Sequence, residues 1–397
     1  MLKNFLGKIK EIEDLQTPAY IYSRDILRCN FLEFSNTVTE ILMNYNVLTA
    51  YSIKSNAYNG LVRELISLGS GIDCVSGGEI EIALQNGAKP EKIVFAGVGK
   101  LDWEIELALQ KDILQINAES KEELLVINEI ATKLGKIARV SLRVNPHVAE
   151  IDESYTNAKI STGKKGNKFG IDIDSLNDVI KIAKSCPNLQ IFGIACHIGS
   201  QILDISFFKR AFFKIKDLVI NLAKSGTHLQ TIDFGGGIGI KYHATDVPIN
   251  TSDYARVVKD VMDEIALQTG HKPQIIFEPG RTISASCGIL ISKVLYVKRT
   301  DHKNFLIIDA GMNDLIRPAM YEAYHEIIPF KIQSPTRETE VYDIVGPICE
   351  TGDIFSANCA MPKMERGDMV AILNAGAYGS VMSSTYNARK PAQEIMI

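Results

Sequence analysis

A chain of 397 residues, with 43 basic side chains against 47 acidic ones and a net charge of -4, builds no long-range field for nucleic acid or an anionic membrane. Its length exceeds what a single core usually supports, so one large domain with a smaller companion is expected, and any ligand must be recognised locally. The N-terminal stretch MLKNFLGKIKEIEDLQ scatters charges among its apolar positions, and no later stretch approaches a membrane span. Seven cysteines (Cys29, Cys74, Cys186, Cys196, Cys287, Cys349 and Cys359) are odd in number and form no CxxC pair, which argues against a zinc knuckle and a secreted disulfide framework. A cytoplasmic protein with no metal site and neither nucleic-acid nor membrane partner is expected.

In chain order, Ala19–Tyr22 reads first as a strand. Eight strand-sized apolar segments follow, at 47–51, 72–75, 93–96, 113–117, 139–144, 191–197, 231–234 and 274–278. Between them run stretches such as Gly60–Leu68 and Gly78–Leu84, whose apolar residues recur three and four apart as on an amphipathic helix. Eight alternations over this length predict a closed (β/α)8 barrel, a fold of about 250 residues, spanning 26–281. The polar, glycine-rich stretch Ser161–Gly170 reads as a loop over the barrel mouth. After Arg281 the alternation stops and β-branched runs take over at 290–297, 305–309, 340–345 and 369–373. They predict a β-barrel or sandwich domain of 282–397, completed by the strand within 1–25.

In such a barrel the working groups sit at the C-terminal ends of the strands. The first segment runs through Tyr51-Ser52-Ile53 into Lys54, an amine at a strand end. Such a lysine is either the first solvated residue past a buried strand or an amine placed to form an imine with an aldehyde. The sixth ends in His197-Ile198-Gly199-Ser200-Gln201, where His197 is either a satisfied core residue or a flat ring to stack on a cofactor, with Ser200 a phosphate donor. The seventh runs into Asp233-Phe234-Gly235-Gly236-Gly237, a tight turn or a nest of backbone amides for an anion. The eighth ends in Glu278-Pro279-Gly280-Arg281, whose carboxylate is costly to bury without a partner and suits a protonated ring nitrogen. An amine, a flat ring, an anion nest and a carboxylate at four strand ends match what pyridoxal phosphate requires. Loops of the β region add Arg317 and Tyr321, then Cys349 and Glu350, then Tyr378. Arg281 and Arg317 are each able to clamp a carboxylate in two-pronged fashion, and Cys349 is either inert packing or a proton donor.

Over nearly its whole length the sequence resembles the diaminopimelate decarboxylases, of the barrel-plus-β-domain (fold type III) family of pyridoxal-phosphate enzymes. The resemblance is carried by Tyr51-Ser52-Ile53-Lys54-Ser55-Asn56, Val75-Ser76-Gly77-Gly78-Glu79, His197–Gln201, Gly235–Gly237, Glu278–Arg281, Arg317–Tyr321 and Cys349–Asp353. It implies that Lys54 forms the imine, that His197 stacks on the pyridine ring and that Glu278 pairs with its nitrogen. Phosphate would be held by Ser200, Gly236, Gly237, Gly280, Arg281 and Tyr378, and the amino-acid substrate by Arg281, Arg317, Tyr321, Glu350 and Tyr378. The resemblance further implies a homodimer with shared sites, in which the Cys349 loop enters the partner's site as proton donor, and the decarboxylation of meso-2,6-diaminopimelate to L-lysine, the last step of lysine biosynthesis. Ornithine or arginine would leave Arg317 and Glu350 unpaired, and an anionic Glu278 argues against alanine racemase. The stretch Asn157–Gly163 lacks the family's usual histidine and tyrosine, and Asn167 and His147 stand where serine and aspartate are usual.

Overall fold

The computed structural model describes residues 1–148, 160–163, 166–332 and 338–397. They form two compact units: one is Phe31–Ile240 with Val247–Gly280, the other is Met1–Asn30, Lys241–Asp246 and Arg281–Ile397. Asn157, Ala158 and Lys159 lie outside the described residues.

Strand β1 (Ala19–Tyr22) belongs to the second unit. The first unit holds β2 (Val47–Ser52), β3 (Gly71–Cys74), β4 (Ile93–Phe95), β5 (Gln115–Ala118), β6 (Ala138–Asn145), the two-residue β7 (Ile171–Asp172), β8 (Leu189–Ala195), β9 (Thr231–Asp233) and β10 (Gln274–Phe277). Apart from β7, which extends β6, these pair in parallel in the order β2-β3-β4-β5-β6-β8-β9-β10, and β10 returns to β2 (Ile275 opposite Val47) to close an eight-stranded barrel. Each of the eight expected segments overlaps one of these strands. The sixth starts two residues early, at Leu189, and its Gly193 is required: a Cβ there would lie 2.0 Å from Thr231 Oγ1 on β9.

Helix starts follow their caps. Ser76 accepts from the Glu79 amide at 3.2 Å to open helix Gly77–Gln85, and Ser120 accepts from the Glu123 amide at 3.1 Å to open helix Lys121–Leu134. Each such cap contributes about 1 kcal/mol. Between strands and outer helices, Phe208, Phe212, Phe234, Tyr254 and Phe277 form a buried aromatic cluster, Phe212 and Phe234 meeting edge to face at 4.7 Å between centroids. Burial of each ring contributes roughly 1.5–3 kcal/mol.

The second unit is a mostly-β sheet of β11 (Gly288–Arg299), β12 (Asn304–Ile308), β13 (Ile327–Lys331), β14 (Thr339–Val345), β15 (Ile354–Pro362), β16 (Met369–Ile372) and β17 (Gln393–Met396), ordered β13-β16-β11-β12-β14-β15. The N-terminal β1 completes it, antiparallel to β11 (Tyr20 opposite Leu290) and parallel to β17 (Tyr20 opposite Glu394). Strands β13, β15 and β17 were not expected. Pro329 interrupts β13, which among the described residues pairs with β16 alone and shifts register between Pro329 and Lys331, the edge and bulge setting that proline tolerates. Among the described residues no helix is long and apolar enough to cross a membrane.

Candidate active site

The parallel barrel gathers the C-terminal ends of its strands at one mouth, where a cavity of about 390 Å³ is lined by Lys54, Asn117, Arg143, His197 and Glu278 among others. Lys54 lies in the single-turn helix Ile53–Ser55 that follows β2, with only 28% of its side chain exposed. Its ammonium is 2.7 Å from Asp73 Oδ2 at the end of β3, and the Ser52 hydroxyl donates to the same oxygen at 2.7 Å. This is a held amine and not a solvated strand terminus. Asp73 Oδ1 is buried with no hydrogen-bond partner among the described residues.

His197 accepts from the Gly236 amide through Nδ1 at 3.2 Å, and its carbonyl accepts from Thr162 Oγ1 at 2.7 Å. Its ring keeps some exposure to the cavity, but the surrounding protein pushes its pKa well below the usual range, burial first and then the cations Arg143 and Lys54. The imidazole is therefore neutral, a flat polarisable surface on the cavity wall.

Glu278 and Asp233, at the ends of β10 and β9, are buried together. Burial first, then the carboxylates of Asp233 and Asp73, push the Glu278 pKa well above the carboxylate range. Asp233 is raised by burial to about 6, against the lowering effects of hydrogen bonds from Glu278, the Gly235 amide at 2.9 Å and Asn117 Nδ2 at 3.2 Å. These effects outweigh the lowering by the Lys54 charge and favour the protonated form of Glu278, whose Oε1 is buried with no hydrogen-bond partner among the described residues. That orphaned oxygen, in a cavity shared with a held amine and a neutral imidazole, fits the ring nitrogen of pyridoxal phosphate, whose positive charge would draw the carboxyl back to its anion.

The glycine turn is dictated by close approach. A Cβ at Gly236 would lie 2.1 Å from the Glu278 carbonyl oxygen, and one at Gly237 (φ +109°) would lie 2.4 Å from that of Gly199, beside Ser200. Gly280 is similarly tight, with a Cβ 3.1 Å from the Cβ atoms of Ser52 and Ser55. Of the residues named from sequence, Lys54, His197, Ser200, Gly236, Gly237, Glu278 and Gly280 thus belong to the barrel unit.

Sequence reasoning missed Asp73, Glu79 and Arg143 as site residues. Arg143, charged within the apolar run of β6, donates to Glu119 Oε1 at 2.6 Å and lies 4.9 Å from the Phe169 ring centroid, while Glu119 Oε2 accepts from the Gly170 amide at 2.8 Å. A charge inside a barrel strand was the available signal, for Asp73 in Gly71-Ile72-Asp73-Cys74 as well. Glu79 accepts from the Val75 amide at 2.7 Å, and burial raises its pKa from 4.5 to about 7 despite that bond and the Lys54 charge. The folded state therefore holds this proton after the unfolded chain has lost it, so its contribution is complete below pH 4.5 and is lost as pH rises to about 7. Glu79→Gln, which keeps an acceptor for Val75, is expected to remove a decline of about 3 kcal/mol across that window, measured by urea unfolding at a series of pH values.

In the second unit, Arg281 and Arg317 both donate through Nη1 to the hydroxyl of Tyr242, at 2.9 and 3.0 Å. Burial alone would raise the Tyr242 pKa, but the two guanidinium charges outweigh it and lower it. Arg281 also lies over the Tyr378 ring, 4.8 Å from its centroid. Arg317 is 5% exposed and donates to His325 Nε2 at 2.8 Å, while His325 Nδ1 donates to the Leu373 carbonyl at 2.8 Å. Burial, reinforced by the Arg317 charge, holds His325 neutral with a pKa of about 3. Arg281, Arg317 and Tyr378 are thus brought together around Tyr242, which, like His325, the sequence did not single out. Tyr321 ends the short helix Arg317–Tyr321, half-buried. Cys349 and Glu350 stand exposed on the turn between β14 and β15, outside this cluster, with the Cys349 amide bonded to Asn387 Oδ1 at 2.8 Å.

Residues 32–285 match the family described as "Pyridoxal-dependent decarboxylase, pyridoxal binding domain". The chain is 43% identical over 390 residues to a diaminopimelate decarboxylase of Aquifex aeolicus, covering 98% of this chain and 89% of that one. It is 42% identical to one of Vibrio cholerae, covering 96% and 87%. A crystal structure of diaminopimelate decarboxylase from Helicobacter pylori complexed with L-lysine superposes with a TM-score of 0.89 at 39% identity, covering 99% of this chain and 94% of that one. With likeness of this extent in both sequence and fold, the chain belongs to the pyridoxal-dependent decarboxylases, in the group that includes the diaminopimelate decarboxylases.

Proposed function

We propose that this chain decarboxylates meso-2,6-diaminopimelate to L-lysine and carbon dioxide, the last step of lysine biosynthesis, with pyridoxal 5'-phosphate in the barrel cavity. The observation that carries the reading is the cavity itself, where an amine held by Asp73 shares one space with a neutral His197 and the unpartnered Oε1 of Glu278. When bound, the cofactor supplies an aldehyde for covalent attachment and a ring that withdraws electrons from the α-carbon.

Lys54 would hold the cofactor covalently, His197 would cover its ring, and Glu278 would meet its nitrogen as an anion. Ser200, Gly236, Gly237, Gly280, Arg281 and Tyr378 would hold the phosphate, the glycines through backbone amides, that of Gly236 giving up its bond to His197 Nδ1. Arg281, Arg317, Tyr321, Glu350 and Tyr378 would bind the substrate, whose second amino-acid head requires both an anion clamp and an acid for its ammonium. Arg317 suits the clamp because its guanidinium is already fixed by Tyr242 and His325, so little side-chain entropy remains to be lost on binding.

Two chains would pair as a homodimer with shared sites, each Cys349 reaching its partner's site as proton donor to the α-carbon. The exposure of the Cys349 turn supports this, and seven free cysteines suit a cytoplasmic enzyme. Incubation with meso-diaminopimelate should release carbon dioxide and lysine in equal amounts; turnover of ornithine alone would overturn the assignment. Cys349→Ala should leave folding and cofactor binding intact and slow turnover by roughly 10²-fold, the usual scale of a lost proton donor, whereas unchanged kinetics would remove Cys349 from the reaction.

A further inference from the structure

We propose that the C-terminal end of β6 carries a site for a divalent ion of the first transition row, built by His147, Asp172 and Asp174. One ligand atom from each lies within 4.8 Å of the others. His147 Nε2 is 3.0 Å from Asp172 Oδ2, on a side chain whose residue is 6% exposed, yet that nitrogen is buried and makes no hydrogen bond among the described residues. A histidine and an aspartate forming a simple ion pair would point at each other. Here they stand at contact distance without pointing at each other, as neighbouring ligands of one ion do: bonds of about 2.0–2.1 Å to a common metal place adjacent ligand atoms roughly 3 Å apart.

The surroundings hold this arrangement. Asp172 pairs with Asn145 across β7 and β6, and its Oδ1 accepts from the Asp174 amide at 2.9 Å, which leaves Oδ2 on the His147 side. Asn145 Oδ1 accepts from the His147 amide at 3.1 Å, and Lys214 bonds the Pro146 carbonyl at 2.8 Å. A neutral imidazole with two carboxylates matches a dication in charge. The nitrogen ligand favours zinc or cobalt over magnesium, calcium or manganese, which prefer oxygen. Three protein ligands, one of them exposed, leave positions for water. The ion would tie the end of β6 to the turn that follows β7.

The test is equilibrium dialysis of the metal-stripped holoenzyme against Zn²⁺, with Co²⁺ as a visible-absorption probe. One ion per chain is expected, with an affinity lowered roughly tenfold or more in His147→Asn and in Asp174→Asn. Asparagine tolerates the left-handed backbone at His147 (φ +51°), and Asp174 is exposed, so both variants should fold. Zn²⁺ should also raise the unfolding temperature of the unaltered protein and not that of His147→Asn. Absence of stoichiometric binding, or equal binding by both variants, overturns the proposal; the latter would place the ion elsewhere, for instance on the cofactor.

Discussion

Lys54→Ala is expected to lower lysine formation by at least roughly 10³-fold and to abolish the visible imine absorbance of the purified protein. The same change leaves Asp73 without its cation: Oδ2 retains the Ser52 hydroxyl, but Oδ1 already has no partner. Removing one member of a buried pair typically costs about 3–5 kcal/mol; with Lys54 partly exposed to the cavity, the lower end applies. Stability and activity therefore have to be read together. Lys54→Ala with Asp73→Asn should recover much of the lost stability in denaturant unfolding and none of the activity. Recovery of turnover in the double variant, or full turnover by Lys54→Ala, would remove Lys54 from the chemistry.

The second large effect is expected at Arg317. Lysine there keeps the charge but loses the planar guanidinium, whose Nη1 donates to both Tyr242 and His325. KM for meso-diaminopimelate should rise about 30- to 150-fold, the equivalent of a lost charge-assisted bond of about 2–3 kcal/mol, with a smaller change in kcat. Substrates lacking the distal carboxylate should be little affected, so the ratio of kcat/KM between the two classes is the decisive measurement. An unchanged ratio would make Arg317 a structural cation for Tyr242 and His325. Tyr242 itself receives a donor from each arginine, so its loss would remove one bond from each side chain at once.

The barrel was legible because its strands are buried on both faces and read as continuous apolar runs, each followed by a helical period. The β unit was legible only in part. Pro329 in β13 and the polar Ser356 and Asn358 in β15 break the pattern that identifies a strand, and these strands form through their partners β16 and β14. Among the candidate site residues, those at strand ends next to glycine, proline or polar turns stood out. Asp73 and Arg143 did not, because a single charge within an apolar strand looks like an exception until the barrel closes and turns it towards the cavity.

By itself the sequence determined the alternation of strand and helix, the amine at Lys54, the flat ring at His197, the glycine turn at Gly235–Gly237 and the acid at Glu278, since these depend on local pattern and residue type. Only the tertiary structure decided their states. Lys54 is held by Asp73 from the neighbouring strand, Glu278 keeps a proton because Asp233 and Asp73 share its burial, and Arg281 and Arg317, 36 residues apart by number, meet on one tyrosine oxygen. Charge state and orientation are set by what surrounds a group in space, and neighbours distant along the chain are supplied only by folding.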